Sequence, residues 1–398
     1  MNYSIWCYGM VLLSLLAACK KENVEPVAEP LTLECDLVAK GESLTLEDRG
    51  AGVDYIASCV VNVRGDLTLA PGVVIQFASD AGLRIYEDGS IQAAGTEEKP
   101  IVLTGEDQLP GAWKGVISYS ADVKNELRHC TIEYAGGGAF NSNGNEAALI
   151  LWSGTKLRMS DCTITGSAAY GIDATYSNYD VTIDNTTITQ CEMPMYISAP
   201  IAGHISGGNF TGNATDAIRV LGSKGGHRLV EDQTWKALSA PYRVSAEGDD
   251  LQLGAATLTL EPGVTIEFEN GTGIQIGESD ASSLVAVGSV IAPITFTGVN
   301  KVAGSWGGLE FRFTKSPQNR IQNAVIEYAG SAKWPGAIYM WSNPALSVTN
   351  TTFRHIGTCV FYDAPKPNYN PGSQTQNPNL GYDSITTESV GGTYCYGG

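Results

Sequence analysis

Apolar and tolerant positions alternate strictly in Leu67-Thr-Leu-Ala-Pro-Gly-Val-Val-Ile-Gln-Phe77, with apolar side chains at 67, 69, 73, 75 and 77. That two-residue period belongs to a strand with one buried face. Pro71-Gly72 breaks the run: proline presets φ, and glycine accepts the backbone conformations a sharp corner demands. The unit therefore reads as strand, tight corner, strand. The chain writes it again as Leu258-Thr-Leu-Glu-Pro-Gly-Val-Thr-Ile-Glu-Phe268, with eight of eleven positions identical. The expected inward residues are Ile75, Phe77, Ile85, Ile266, Phe268 and Ile276.

The repetition runs on. Gly82-Leu-Arg-Ile85, Pro100-Ile-Val-Leu-Thr-Gly105, Gly111-Ala-Trp-Lys-Gly115 and Ile132-Glu-Tyr-Ala-Gly136 return as Gly273-Ile-Gln-Ile276, Pro293-Ile-Thr-Phe-Thr-Gly298, Gly304-Ser-Trp-Gly-Gly308 and Ile326-Glu-Tyr-Ala-Gly330. A Trp-Ser closes each copy, at 152–153 and 341–342, and the offset drifts only between 189 and 194. Inside the first copy, inward apolar residues at 132, 164, 188 and 210 mark a shorter period of 32, 24 and 22 residues. Short strands and Gly/Asn corners at this spacing, with no helical stretch, predict the coils of a β-solenoid, each of which must stack on its neighbours to bury its inner face. At ~22–24 residues per coil and ~4.8 Å per rung, residues 50–390 give roughly 14 coils and a rod ~65 Å long.

These motifs together resemble the right-handed parallel β-helix proteins of the pectate-lyase-like superfamily, and in particular uncharacterised β-helix lipoproteins of Bacteroidetes-type bacteria. The resemblance covers about 340 of the 398 residues. It implies an all-β, right-handed parallel β-helix with an internal duplication. For activity it implies little, because the superfamily holds lyases, glycosidases, esterases and non-catalytic adhesins. No catalytic residue carries over. The chain lacks clustered calcium-binding aspartates with an arginine base, and it lacks the Asn-Thr-Asp and Arg-Ile-Lys signatures of the polygalacturonases.

Other features divide the chain. Residues 1–19 contain no charged side chain, and Met10–Leu16 is an apolar run too short to span a bilayer. The run ends in Leu16-Ala-Ala-Cys19, which matches a bacterial lipobox, so 1–19 reads as a lipoprotein signal peptide and Cys19 as the lipidated residue. Residues 20–30 form a polar, proline-containing tether. Its Lys20-Lys-Glu start resembles the signal for surface export, which places the protein on the outer membrane facing outward, with a periplasm-facing anchor as the alternative. Residues 31–55 are expected to pair with and cover the first coil, 56–228 to hold the first copy, and 229–398 the second copy and C-terminal cap. The net charge of −18 falls wholly after residue 19 and disfavours nucleic acid and anionic lipid. A monomer is expected.

Nine cysteines become seven after Cys7 leaves and Cys19 is lipidated, so at least one thiol stays unpaired or bonds another chain. Cys130 and Cys162 should stack inward on consecutive rungs, whereas Cys35 with Cys59, and Cys359 with Cys395, sit where end staples would help. No spacing suggests a zinc site. The carboxylates of the corner Asp173–Asp180 could hold calcium but lack an ordered ligand spacing; no other cofactor is implied.

Candidate chemistry lies in two long corners. The 32-residue spacing arises from a loop at 136–146, and the second copy has a shorter one at 331–336. Both follow Ala-Gly and lead to a strand bearing Trp152 or Trp341. If they leave the same corner, they wall one side of the rod about eight rungs apart, and one long polymer engages both. Aromatic faces stack on sugar rings while amides and charges supply hydrogen bonds. The candidate ligand-binding residues are therefore Phe140, Asn141, Asn143, Glu146, Trp152, Lys333, Trp334 and Trp341, with no catalytic or metal residue. Trp113 and Trp306 read as packing residues, and Glu133 and Glu327 as solvated strand positions. The expectation is a rigid rod that binds glycan or a surface protein without catalysis. The competing class is a diverged lyase or glycosidase, discriminated by whether carboxylates and a Lys or Arg converge in one groove.

Overall fold

A computed structural model describes residues 1, 29–50, 52–140, 144–177, 179–223, 226–277, 281–364 and 375–397. The expected signal peptide with Cys19, nearly all of the tether, Asn141, Asn143 and most of the loop at 364–379 lie outside these residues.

The chain winds as a right-handed β-helix of three-sided coils. One parallel sheet of 14 strands, from Asp36–Val38 to Thr386–Glu388, runs through both copies, and we call it the spine sheet. Two seven-stranded sheets complete the first half of the coil and two six-stranded sheets the second. The alternation seen in the sequence sets the register. Ile75, Leu103, Ile132, Ile164 and Ile188 pair in line on five successive rungs, and all five are buried. Ile85, Phe77, Ile266, Phe268 and Ile276 are buried too. Each such side chain contributes about 1.5–3 kcal/mol on leaving water. The spine sheet is continuous across both copies, so they stack as one rod.

Corners follow local chemistry. His129, Asp161, Asn185, Asn323 and Asn350 turn the chain at positive φ of 45–53°, a left-handed conformation that short polar side chains tolerate better than branched ones. Within residues 31–55, the expected cap, the strands of 31–46 pair with those of the following coil. They form a coil themselves, with Leu31–Thr32, Asp36–Val38 and Ser43–Leu46 each on a different sheet. A Cys35–Cys59 disulfide joins this coil to the next.

The duplicated motifs meet in space. Trp113 stacks on Phe77 with centroids 4.1 Å apart, and Trp306 stacks on Phe268 at 4.1 Å. Each indole N–H donates to a backbone carbonyl, of Glu133 or Glu327, at 2.8 Å. Both tryptophans are fully buried, as packing residues should be. The Glu133 and Glu327 side chains face outward and accept from Thr104 and Thr297. Cys130 and Cys162 lie buried on adjacent rungs as free thiols, and Cys359 and Cys395 are also unbonded.

One expectation fails here. Val74–Phe77 lies on a seven-stranded sheet, but its counterpart Thr265–Phe268 lies on the spine sheet. Likewise Gly82–Ile85 is in the spine sheet and Gly273–Ile276 in a six-stranded one. The repeat is thus not a whole number of turns, and the second copy is rotated by one face of the coil. The loop at 136–146 enters the spine sheet, whereas that at 331–336 leaves it for a six-stranded sheet. They do not wall one side of the rod. Residue spacing alone cannot reveal this, since an offset of 191 residues is compatible with either phase when coil lengths vary.

Candidate ligand-binding clefts

Outward side chains of in-register strands stack as regularly as the inward ones. On the spine sheet one row reads Ile117, Ile150, Asp173, Tyr196, Arg219, Arg243, Glu267. The middle of this row floors an open cleft of about 760 Å³, also lined by Glu146, Tyr170, Tyr176, His227 and Glu247. Asp173 is only 4% exposed. Its Oδ1 accepts from the Thr175 backbone N–H and hydroxyl, and its Oδ2 accepts from Asn145 Nδ2 at 2.6 Å. Arg219 is fixed from all sides: it donates to the Tyr170 hydroxyl, pairs with Glu247 and Glu269, and lies 4.6 Å from the Tyr196 ring centre. Burial pushes the Tyr196 hydroxyl well above its ordinary pKa and holds that of His227 below the usual histidine value.

A second cleft, about 440 Å³, lies on a six-stranded sheet and is lined by Glu310, Arg312, Phe313, Lys333, Trp334, Tyr339 and Trp341. Glu310 is 2% exposed. One carboxylate oxygen accepts from Gln275 at 2.8 Å and the other from Arg312 Nε at 2.6 Å. Arg312 and Trp341 pair across adjacent strands, as do Glu310 and Tyr339. Phe313 holds a left-handed backbone, φ 49°, and leaves its side chain half exposed; Trp341 is also exposed. A bulky residue in that conformation is costly, and such strain gathers at functional positions. Lys333 reaches Asp250 at 2.6 Å and so ties its loop down to the first coils of the second copy. Burial raises the Asp250 pKa, and Lys333 partly offsets the rise.

Of the residues expected to bind ligand, Lys333, Trp334 and Trp341 come together in the second cleft, and Glu146 lines the first. Trp334 is buried: its ring closes over Gly273 and Gly307, where a Cβ would collide with it. Phe140 does the same over Gly82. These are matching plugs in the two copies. What they cover differs, because Ile117, Ile150, Tyr119 and Trp152 form a small apolar cluster with Phe140 where the second copy has Glu310, Tyr339, Arg312 and Trp341. Trp152 is half-buried, with Tyr176 stacked on one face at 4.4 Å and Tyr119 tilted against it at 6.0 Å, so one ring face is already occupied. Among the described residues, no three carboxylate, imidazole or thiol groups gather to hold a metal ion, and no helix is long and apolar enough to cross a membrane.

Sequence reasoning missed Tyr170, Tyr196, Arg219, Glu310, Arg312 and Phe313. A usable signal existed: Asp173, Tyr196 and Arg219 are each 23 residues apart, one coil length, and so stack on one face.

A family model described as the right handed beta helix region matches residues 113–233, a span that includes the first cleft's Glu146 and Asp173-to-Arg219 row. No curated protein and no solved structure matches the chain.

Proposed function

We propose that this protein is a lipid-anchored rod of the outer membrane, facing outward, that binds glycan in the cleft holding Trp341 and does so without catalysis. The observation that carries the reading is the pairing of two exposed aromatic side chains, Phe313 and Trp341, with a polar floor of buried Glu310 and half-buried Arg312 and Tyr339 in one concave space. Apolar sugar faces stack on aromatic rings, and hydroxyls pair with fixed polar groups. Both oxygens of Glu310 are engaged, by Gln275 and Arg312, which suits a carboxylate that orients a ligand better than one that transfers protons. The lipobox at Cys19 and the acidic surface support the envelope location. A periplasm-facing anchor is the alternative placement.

The enzyme reading draws on the first cleft, where the carboxylates of Glu146, Asp173 and Glu247 share one space with Arg219. A glycan array on the Cys19→Ser chain, read for binding and for released product, separates the two. Binding without release is the expected result. Product release from a bound glycan would establish the lyase or glycosidase reading, and an array without any bound glycan would end the proposal.

A further inference from the structure

The first cleft has a charge balance unlike that of the second. We infer that it is a separate site, selective for a sugar that carries a protonated amine; this rests on the glycan reading of the rod. Among the described residues, neither Asp173 nor Glu146 has an ion-pair partner. Asp173 is held by neutral donors alone, two from Thr175 and one from Asn145, although it is nearly wholly removed from solvent. A buried carboxylate without a cation retains a desolvation cost that an incoming ammonium relieves.

Arg219 is the obvious objection, because it would repel such a ligand. It is already matched: Glu247 and Glu269 flank it at 3.1 and 3.4 Å, and Tyr170 and Tyr196 take its remaining faces. Glu247 and Glu269 belong to Arg219, which leaves Asp173 and Glu146 as the cleft carboxylates without a cation partner among the described residues, and burial disfavours the charged form of His227. Arg243 on the next rung is spent on Glu267 at 2.6 Å. The tyrosines supply what a bare cation does not need. Tyr176 stacks one face on Trp152 and is 43% exposed where it borders the cleft. An aromatic wall beside uncompensated carboxylates fits a pyranose with an ammonium substituent, through ring stacking and cation–π attraction together.

The test compares a short glucosamine oligomer with its N-acetylated counterpart of equal length, by calorimetry on the full chain at a pH where the free amine is protonated. The free-amine form should bind about tenfold or more tightly, the worth of one charge-assisted hydrogen bond, and the gap should shrink with salt. Asp173→Asn should abolish the preference. Glu146→Gln, at an exposed position, should reduce the gap and serves if Asp173→Asn does not fold. Equal affinity for the two oligomers overturns the inference while leaving the glycan reading standing. So does a preference that survives both carboxylate variants, or an oligolysine of equal charge binding as tightly as the amino sugar. Absence of binding to either oligomer also overturns it, and the array then judges the glycan reading on its own.

Discussion

At the scale of single residues, the most consequential side chains are those that tie distant motifs together. Trp113 and Trp306 fill the corner against Phe77 and Phe268 and satisfy a backbone carbonyl. Replacing either with alanine should cost about 3–5 kcal/mol in chemical denaturation, since a large cavity opens and a carbonyl loses its partner. Glu133→Gln should change stability far less, because the indole bonds the main chain and not the side chain. Lys333 gives a pH-dependent test. The folded pKa of Asp250 is raised, chiefly by burial, so the folded state binds its proton more tightly than the unfolded chain, whose value is about 3.9. Stability from this group is therefore present at low pH and falls as pH rises through the folded pKa. Lys333→Met removes the cation that pulls this pKa down, so denaturation midpoints measured from about pH 4 to about pH 7 should fall more steeply than in the wild type. An unchanged slope would mean that Lys333 does not compensate Asp250. Sequence alone showed the tryptophans because both copies keep them. It did not show Asn125 and Asn319, which are buried and accept from backbone N–H groups of the rung below, Ile91 and Leu284. Polar residues beside strands look like surface until register places them inside.

At the scale of elements, strand existence was legible and strand neighbourhood was not. Two-residue alternation fixes which side chains point inward, and every inward residue expected from it is buried. The outward rows that build the clefts depend on coil length, which varies with each loop, so Glu310 beside Tyr339 is invisible until the rungs are aligned. The plug loops are elements whose fit can be tested. Gly273 has no side chain because Trp334 lies over it, and Gly82 stands in the same relation to Phe140. Gly273→Ala should evict Trp334 from its buried site, raising its solvent exposure as a red-shifted tryptophan emission and loosening the loop that carries Lys333. If emission and denaturation midpoint both match the wild type, the plug is not held there by shape.

At the scale of the molecule, the rotation between copies decides what the rod can do. The two clefts lie on different sheets, the first on the spine sheet and the second on a six-stranded one. A straight polymer lying along one face meets only one of them, so lengthening a neutral glycan should bring no avidity gain of the kind two in-line sites would produce. The duplicated ancestry is visible in the sequence, but divergence has filled one cleft position with an apolar cluster and left its counterpart polar. The proposed envelope location rests on residues 1–19, and Cys19→Ser should move the protein from the membrane fraction to the soluble one; retention in the membrane would remove the lipid anchor from the account. The central claim is that the cleft of Phe313 and Trp341 binds sugar. Calorimetric titration of a neutral oligosaccharide, chosen from array hits, into the wild type and Trp341→Ala tests it most directly. The account predicts an affinity loss of about fivefold, the worth of one stacking ring, with folding unchanged; a variant that binds as tightly as the wild type would contradict it.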